Sequence, residues 1–419
     1  MLLRQVILLT GTLLSVLPAS AKYEAHEWGT FTSLVGSNGR TQNGMYHEDE
    51  ALPAFVYGFG ETAPSVSQPA PMPTPSYPRR KPCHGKGCID MNFLKANVIT
   101  QKMETPVIYF YTDKTEHIDV NVRFPEGVIT ETFPAPIRTS PAKNPSLVLA
   151  NGDTTFSVDV LPQTYDAFPA VDRTNIYSHA RNVASHVVRS GRDIEKFIFY
   201  RGLGRFQPAM EIRSSGGALS LKADALSAPQ AAFLVHVNES GHGNIVEIKL
   251  GSSQGASPGD VSALVAAPVI QQLKDHTRTH NGSGISNANQ GPEIMLPALV
   301  RAGLFKDEAQ AMLDTWKNGY LRTPGLRLLY VLPRSEVDRA LPLQMTPAPE
   351  KLERVFVGRI EVLLDTVEAR ILKDIATARE NFRVASLGRF AEPMLRRVLE
   401  VYARSQLTRE DPFRGRALK

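Results

Sequence analysis

The chain has 419 residues, of which 42% are hydrophobic and 21% are charged, and its formal net charge is +5 at pH 7. This composition excludes a chain that is disordered throughout, and the length is sufficient for two domains with separate cores. The basic residues are spread widely and only residues 404–419 form a mildly basic tail, so we expect no nucleic-acid partner.

Residues 1–21, MLLRQVILLTGTLLSVLPASA, have the pattern of a secretory signal peptide. One arginine precedes an apolar run at residues 6–17, and residues 19–21 supply an A-x-A cleavage signal. The run is short for a bilayer span, no later stretch of the sequence is apolar enough to be one, and no cysteine stands at the junction to accept a lipid. We therefore expect a mature protein that begins near Lys22, is periplasmic or secreted, and has no transmembrane anchor.

Residues 22–62 contain predicted strands and the acidic HEDE stretch, and residues 63–90 form a proline-rich excursion that disfavours both helix and central strand. Cys83 and Cys88, the two cysteines of the sequence, lie in this excursion and are close enough to close a small loop. Because an exported protein meets an oxidising compartment, we predict a disulfide between them. Covalent haem attachment is not indicated, because Ile89 and not a histidine follows the second cysteine.

Residues 91–256 carry mostly strand signals, with β-branched and aromatic residues alternating with polar ones. The segment VHVNESGHGNIVEI is typical of a hairpin with its turn near residues 240–244. Residues 257–419 have mainly helical periodicity, interrupted by GLRLLYVLP, which is typical of a buried strand. We predict an α+β protein with an antiparallel β-sandwich-like N-terminal half followed by a mainly α-helical C-terminal half.

The first candidate site residues lie in the stretch HEWGTFTS, where His26 is a candidate metal ligand and Glu27 a candidate acid or base. A strand here places His26 on one face and Glu27 on the other, so both can line one pocket only if the strand contains a bulge. The structural alternative is a strand whose histidine and tryptophan are buried or hydrogen-bonded.

The second candidate is the run YHEDE that begins at Tyr46. His47, Asp49 and Glu50 could bind a divalent metal, and Glu48 could act as a general acid or base. The structural alternative is the acidic start of a short helical turn capped by Asp49. A site shared with His26 would need a hairpin through residues 37–44 that aligns the two segments.

Three further motifs carry weaker indications. His276 and His280 lie one helical turn apart, but they lack the glutamate that follows the first histidine in zinc proteases. The GSSQG stretch at residues 251–255 matches the nucleophile motif G-x-S-x-G, but a proline and a glycine delay the helix that should follow it. Arg201 in FYRGLG could clamp an anion, although pairing with a carboxylate inside a sheet is the commoner role of such an arginine.

Seven phrases resemble those of a family of uncharacterised exported bacterial proteins: HEWGTFTS, YHEDE, KMETPVIYFY, KFIFYRGLG, EAQAMLDTW, GLRLLYVLPR and VGRIEVL. The resemblance covers nearly the whole mature chain. It implies a bacterial source and a β half and a helical half that occur together as one unit, and it implies no activity or catalytic residue.

Two functions are compatible with the sequence. The absence of a complete catalytic motif favours a non-enzymatic envelope or extracellular binding protein, with an unidentified envelope or extracellular ligand as its partner. The alternative is a metal-assisted hydrolase or oxidoreductase that uses His26 and the 47–50 run with a divalent metal as cofactor.

Overall fold

The computed structural model describes residues 22–48, 51–59, 98–141, 149–162, 168–224, 226–252, 261–279, 287–376 and 384–409. The predicted signal peptide, the predicted Cys83–Cys88 disulfide and the candidate ligands Asp49 and Glu50 lie outside these residues.

The strands within these ranges are β1 (Tyr23–Val35), β2 (Gln101–Thr112), β3 (Glu116–Phe124), β4 (Gly127–Phe133), β5 (Arg138–Ser140), β6 (Gly152–Leu161), β7 (Val187–Ser190), β8 (Asp193–Glu195), β9 (Ile198–Gly204), β10 (Glu211–Ser215), β11 (Ala218–Ala223), β12 (Ala231–Val237), β13 (Gly243–Glu247), β14 (Gly251–Ser252), β15 (Val261–Val265), β16 (Gly325–Val331), β17 (Leu343–Thr346) and β18 (Lys351–Val362). The helices are α1 (Ile176–His179), α2 (Ala267–Thr279), α3 (Asn287–Arg301), α4 (Lys306–Gly319), α5 (Arg334–Ala340), α6 (Asp365–Ala376) and α7 (Ala391–Arg409), and a 3₁₀ segment (Val384–Phe390) precedes α7.

An eight-stranded sheet forms the middle layer of the protein, in the order β13-β12-β16-β18-β1-β2-β9-β4. β1 pairs in parallel with β18 and antiparallel with β2, so the sheet is mixed. These central strands are buried along almost their whole length, because other layers cover both faces of the sheet. The HEWGTFTS stretch forms most of β1 and therefore lies at the centre of the fold.

Two smaller sheets cover one face of the central sheet. One contains β17, β3, β6, β7 and β8 in that order, with β5 beside β6, and the other has the order β10-β11-β15-β14. The core between these layers contains Phe31, Phe110 and Phe356 from the central sheet, Phe156 from β6 and Leu221 from β11. Each such side chain contributes about 1.5–3 kcal/mol when it is removed from water, so this interface holds the strand layers together.

Helices cover the opposite face of the central sheet. Met312 and Trp316 of α4 pack in one core with Trp28 of β1, Tyr109 of β2 and Leu329 of β16. Farther along β1, a second cluster joins Leu34 to residues of α6 and α7. Between these two apolar clusters the helix-facing side of the sheet carries charged side chains, and the candidate site lies there.

The predicted division into a sandwich-like N-terminal half and a mainly helical C-terminal half is wrong. β16 and β18 come from the C-terminal part of the chain, yet they lie inside the central sheet beside β12 and β1, which come from the N-terminal part. The helices are distributed along the chain from α1 onward. The segment that begins at Lys351 misled the prediction because Arg354, Arg359 and Glu361 interrupt its apolar run as the polar face of a helix would, whereas in β18 they are buried.

Two local predictions are confirmed. The segment GLRLLYVLP contains β16, which is buried except at its first residue. The segment VHVNESGHGNIVEI forms the antiparallel pair β12–β13, as predicted, but its turn lies between Val237 and Gly243, slightly earlier than the predicted residues 240–244. Among the helices within the described ranges, none is both long and apolar enough to cross a membrane.

Candidate functional site

The structure places His26 in a buried polar cluster at the start of α4. Its Nδ1 lies 2.9 Å from Glu308 Oε2, and the hydroxyl of Tyr111 donates to Glu308 Oε1 at 2.7 Å. Glu308 also accepts a hydrogen bond from the backbone N–H of Phe305, at the N-terminal end of this helix. The histidine is completely buried, so these contacts connect β1 and β2 to the first turn of α4.

Glu27 points to the other face of β1, as strand alternation requires. Its carboxylate accepts hydrogen bonds from the Tyr200 hydroxyl and from Arg354 Nε, and both partners are buried. Arg354 also donates to Asp338 Oδ1 at 2.7 Å and to the carbonyl of Leu341 at 2.8 Å. Glu27 therefore takes part in a structural ion pair between neighbouring strands.

His47 and His26 do not share a site. His47 Nε2 lies 3.0 Å from Glu392 Oε2 of α7, and the carbonyl of His47 accepts from Lys102 Nζ at 3.1 Å. Tyr109, which is opposite His26 in the register, lies seven residues farther along β2 than Lys102, a separation of roughly 20 Å. No group of three or more His, Cys, Asp or Glu side chains in the described part of the chain is arranged to hold a metal ion.

Glu48 belongs to a cleft on the helix-facing side of the central sheet, between the two apolar clusters. The cleft is small, with a cavity volume of about 40 Å³, and it is partly open to solvent; its polar lining includes Glu48, Glu104, Thr105, Arg201, Tyr320 and Arg389. A smaller adjoining cavity of about 10 Å³ shares Glu48 and Arg201 and adds Lys102. The candidate catalytic residue Glu48 and Arg201, for which both an anion clamp and a carboxylate partner were considered, thus lie together, and no sequence pattern joined them.

Strand geometry brings the charged side chains to this cleft. Lys102 lies opposite Thr32 in the β1–β2 pairing, and Arg359 lies opposite Thr32 in the β1–β18 pairing, so their side chains share one face of the sheet. Glu361 and Arg327 are cross-strand partners in the next strand pair. Alternate residues of neighbouring strands therefore build a charged layer beneath the helices.

Glu104 is the acceptor at the centre of the cleft. It accepts hydrogen bonds from Thr32 Oγ1 at 2.7 Å, from the Tyr320 hydroxyl at 2.6 Å and from Arg389, and Lys102 Nζ lies 3.3 Å from its Oε1. Burial alone would raise the pKa of the Glu104 carboxyl, but Arg389 and Lys102 hold that pKa well below its usual range. Glu104 is therefore a carboxylate at neutral pH, and it fixes the cations and Tyr320 in place.

A second layer of charge lies behind Tyr320. The guanidinium carbon of Arg359 lies 4.0 Å from the centroid of the Tyr320 ring, a cation–π contact. Arg359 also donates to Glu361, and Arg327 Nε lies 3.1 Å from the same carboxylate. Burial lowers the pKa of Arg327 to about 10, so Arg327 remains cationic at neutral pH.

Arg201 is the least satisfied charge in the cleft lining. Its side chain is only 5% exposed, and the closest carboxylate oxygen, Glu48 Oε2, lies 3.5 Å from its Nη1. Its Nε is buried without a hydrogen-bond partner, and among the residues that the structure describes we find no acceptor for its other N–H groups. Desolvating such donors without an acceptor costs about 1–3 kcal/mol, more for a charged group.

The cleft also contains a residue with an unusual backbone conformation. Thr105 has φ 47°, in the left-handed region that β-branched residues avoid, and conformations of this kind cost about 1–3 kcal/mol. The register of β2 shifts at this point relative to both β1 and β9, so Thr105 lies in a bulge. Such bulges redirect side chains and often occur next to functional sites.

Sequence reasoning did not identify Lys102, Glu104, Thr105, Tyr320 and Arg389 as site residues. The available signal was the pair of charges at alternate positions of KMETPVIYFY, in a run that otherwise indicates a buried strand. Charges at alternate positions of a buried strand must share a polar surrounding on one face, because they cannot reach water.

Comparison of the sequence with known protein families finds no family that matches, and comparison with curated proteins finds no significantly similar relative.

Proposed function

We propose that this protein is an exported binding protein, periplasmic or secreted, that binds a small acidic ligand in the cleft through Arg201. The observation that supports the proposal is the buried guanidinium of Arg201, which lines the cleft and has a carboxylate oxygen no closer than 3.5 Å. A ligand oxyanion would satisfy the donors that this side chain leaves unused.

The chemistry of arginine defines the ligand class. A guanidinium presents five N–H donors in a planar fork that matches two oxygens of a carboxylate, a sulfate or a phosphate. Charge-assisted hydrogen bonds of this kind are about twice as strong as neutral ones. Because the cleft is narrow and its lining is largely buried, we expect a small ligand that enters with its acidic group first.

The rest of the lining is suited to binding. Glu104 is held as a carboxylate by its cations, and the pKa of Tyr320 is raised by burial and by that carboxylate, so neither group exchanges a proton near neutral pH. They provide a fixed arrangement of charges around Arg201 and Arg389. Fixed charges and dipoles bind an ion strongly because they need little reorganisation when it arrives.

The binding test measures thermal unfolding and titration calorimetry with acetate, succinate, citrate, sulfate and phosphate. Sodium chloride at equal ionic strength serves as the reference, since it screens charges without offering two oxygens. At a ligand concentration of ten times the Kd, the unfolding free energy should rise by about 1.4 kcal/mol, which raises the Tm by about 2 °C.

Two variants complete this test. Arg201→Met should abolish the rise in Tm, whereas Arg213→Met should retain it, because Arg213 is 64% exposed on β10 and lies outside the cleft. The binding proposal fails if none of the five oxyanions acts differently from chloride, or if Arg201→Met responds as the wild type does. Fractionation of a bacterial host that expresses the full chain tests export separately, and retention of an unprocessed chain in the cytosol would contradict it.

A further inference from the structure

The bulge in β2 places two consecutive side chains, Glu104 and Thr105, in the lining of the same cleft. A regular strand forbids this, since successive side chains point to opposite faces. Between the pairs Trp28–Val107 and Thr30–Glu104, β2 contains one residue more than β1. The same extra residue appears against β9, between the pairs Met103–Gly202 and Val107–Phe199.

The backbone of Thr105 is unfavourable for two separate reasons. A β-branched residue rarely adopts a φ of 47°, and a residue that precedes a proline, here Pro106, is restricted to extended conformations. Glycine or asparagine would adopt the observed φ more easily. Gly29 of β1 accommodates the bulge, because a Cβ at this position would lie 3.0 Å from Pro106 Cγ.

The Thr105 hydroxyl is available for a ligand. No residue in the described ranges forms a hydrogen bond with it, although most of this residue is buried at 7% exposure. Arg201 and Thr105 thus bring two kinds of unused donor to one cleft, the guanidinium N–H groups and a hydroxyl.

We propose that Thr105 is a specificity-determining residue that donates a hydrogen bond to a second oxygen of the acidic ligand held by Arg201. This inference rests on the proposed binding function and makes the ligand an oxyanion with at least two acceptor oxygens, as in a carboxylic acid. A halide, which has no second acceptor atom, would gain nothing from the hydroxyl. The strained backbone then has a role, since the bulge brings Thr105 into the cleft lining beside Glu104.

The test compares three variants by thermal unfolding without ligand and by calorimetric titration with acetate, succinate and citrate. Thr105→Gly removes both the strain and the hydroxyl, so the Tm without ligand should rise by about 2 °C while the Kd of the acids rises about tenfold. Thr105→Ser keeps the hydroxyl, so its Kd should remain within about twofold of the wild type.

Asn151→Gly is the matched control. Asn151 is the other non-glycine residue with positive φ among the described residues, at 57°, and it does not line the cleft. Its replacement also introduces glycine at a position with positive φ, but away from the cleft, so it should leave the Kd unchanged.

Each outcome has a distinct meaning. If the wild type binds an acid and Thr105→Gly binds it equally well, or if Thr105→Ser is as weak as Thr105→Gly, the role of Thr105 is refuted while the binding function stands. If the wild type binds none of the acids, both proposals fall.

Discussion

Replacing Arg201 and Arg354 by methionine distinguishes an arginine that is retained for a ligand from one that stabilises the fold. Both side chains are almost completely buried, with exposures of 5% and 1%. Arg354 donates to two carboxylates and a backbone carbonyl, whereas the described residues give Arg201 the ion pair with Glu48 at 3.5 Å and a cation–π contact with Phe199 at 5.9 Å. The two variants therefore remove the same charge from environments that differ mainly in hydrogen bonding.

The expected changes in unfolding free energy differ between the two variants in size and in sign. Arg354→Met leaves the Glu27 carboxylate buried without its counter-ion, and breaking a buried pair in this way costs about 3–5 kcal/mol of unfolding free energy. Arg201→Met loses an ion pair with a partly exposed carboxylate, worth about 1 kcal/mol or less. It also removes buried donors whose desolvation costs about 1–3 kcal/mol. We therefore expect the unfolding free energy of Arg201→Met to be unchanged or higher by about 1 kcal/mol.

Urea unfolding measures this difference through tryptophan fluorescence. Trp28 and Trp316 are the two tryptophans of the sequence, and both are buried on the helix-facing side of the central sheet, so their emission reports the loss of this core. The m-values of the variants should equal that of the wild type, because the surface exposed on unfolding is the same. A loss of 3 kcal/mol or more in Arg201→Met would refute the reasoning, since it would show that Arg201 is a structural ion-pair partner.

Three further predictions concern the surroundings of the cleft. Glu104→Gln should lose about 3–5 kcal/mol at pH 7 because it removes the buried negative charge that faces both Lys102 and Arg389. Burial favours the neutral carboxyl, but these cations keep the pKa of Glu104 below its ordinary 4.5. The charge of Glu104 therefore stabilises the fold fully above pH 4.5, and this stabilisation is lost as the pH falls. Urea unfolding between pH 3 and 7 should show that the stability of the variant declines less steeply in acid than that of the wild type. His26→Phe should lower the unfolding free energy by about 1–3 kcal/mol, because the contact with Glu308 is lost. Calorimetry should show that the Kd of acidic ligands is unchanged. Weaker binding in this variant would place His26 in the site. Gly29→Ala would put a Cβ 2.6 Å from Phe356 Cε1, so it should lower the unfolding free energy by about 1–3 kcal/mol. It should also weaken the binding of acidic ligands, because it displaces the bulge. A Tm equal to that of the wild type would contradict the close packing at Gly29.

Local patterns predicted several elements of the fold correctly. The hairpin β12–β13 has turn residues between two alternating runs, and β16 has a short apolar run between glycine and proline. The sequence pattern that predicts each strand or turn therefore lies within about ten neighbouring residues. The association of β18 with β1 could not be predicted in this way. These two strands are parallel and more than 300 residues apart, and their pairing depends on layers that cover both faces.

The candidate site was predicted in part. Glu48 and Arg201 were identified by residue type, but their proximity was not predicted. In the fold Lys102 of β2 contacts the Glu48 carboxylate, and Arg201 lies 3.5 Å from the same carboxylate. The metal hypothesis joined His26 to His47 through a predicted hairpin at residues 37–44. In the fold each histidine has a separate carboxylate partner, Glu308 or Glu392, contributed by a helix far along the chain.

Buried charge explains both the main error in the fold prediction and the position of the cleft. A charged residue in an apolar run normally indicates a solvated face, and that rule turned the β18 segment into a predicted helix. Arg359 and Glu361 are two residues apart in this segment, as Lys102 and Glu104 are in β2, and spacing by two is the period of a strand. Because such charges must meet partners on neighbouring strands, paired charges at this spacing in two buried runs predict both the strands and the polar site between them.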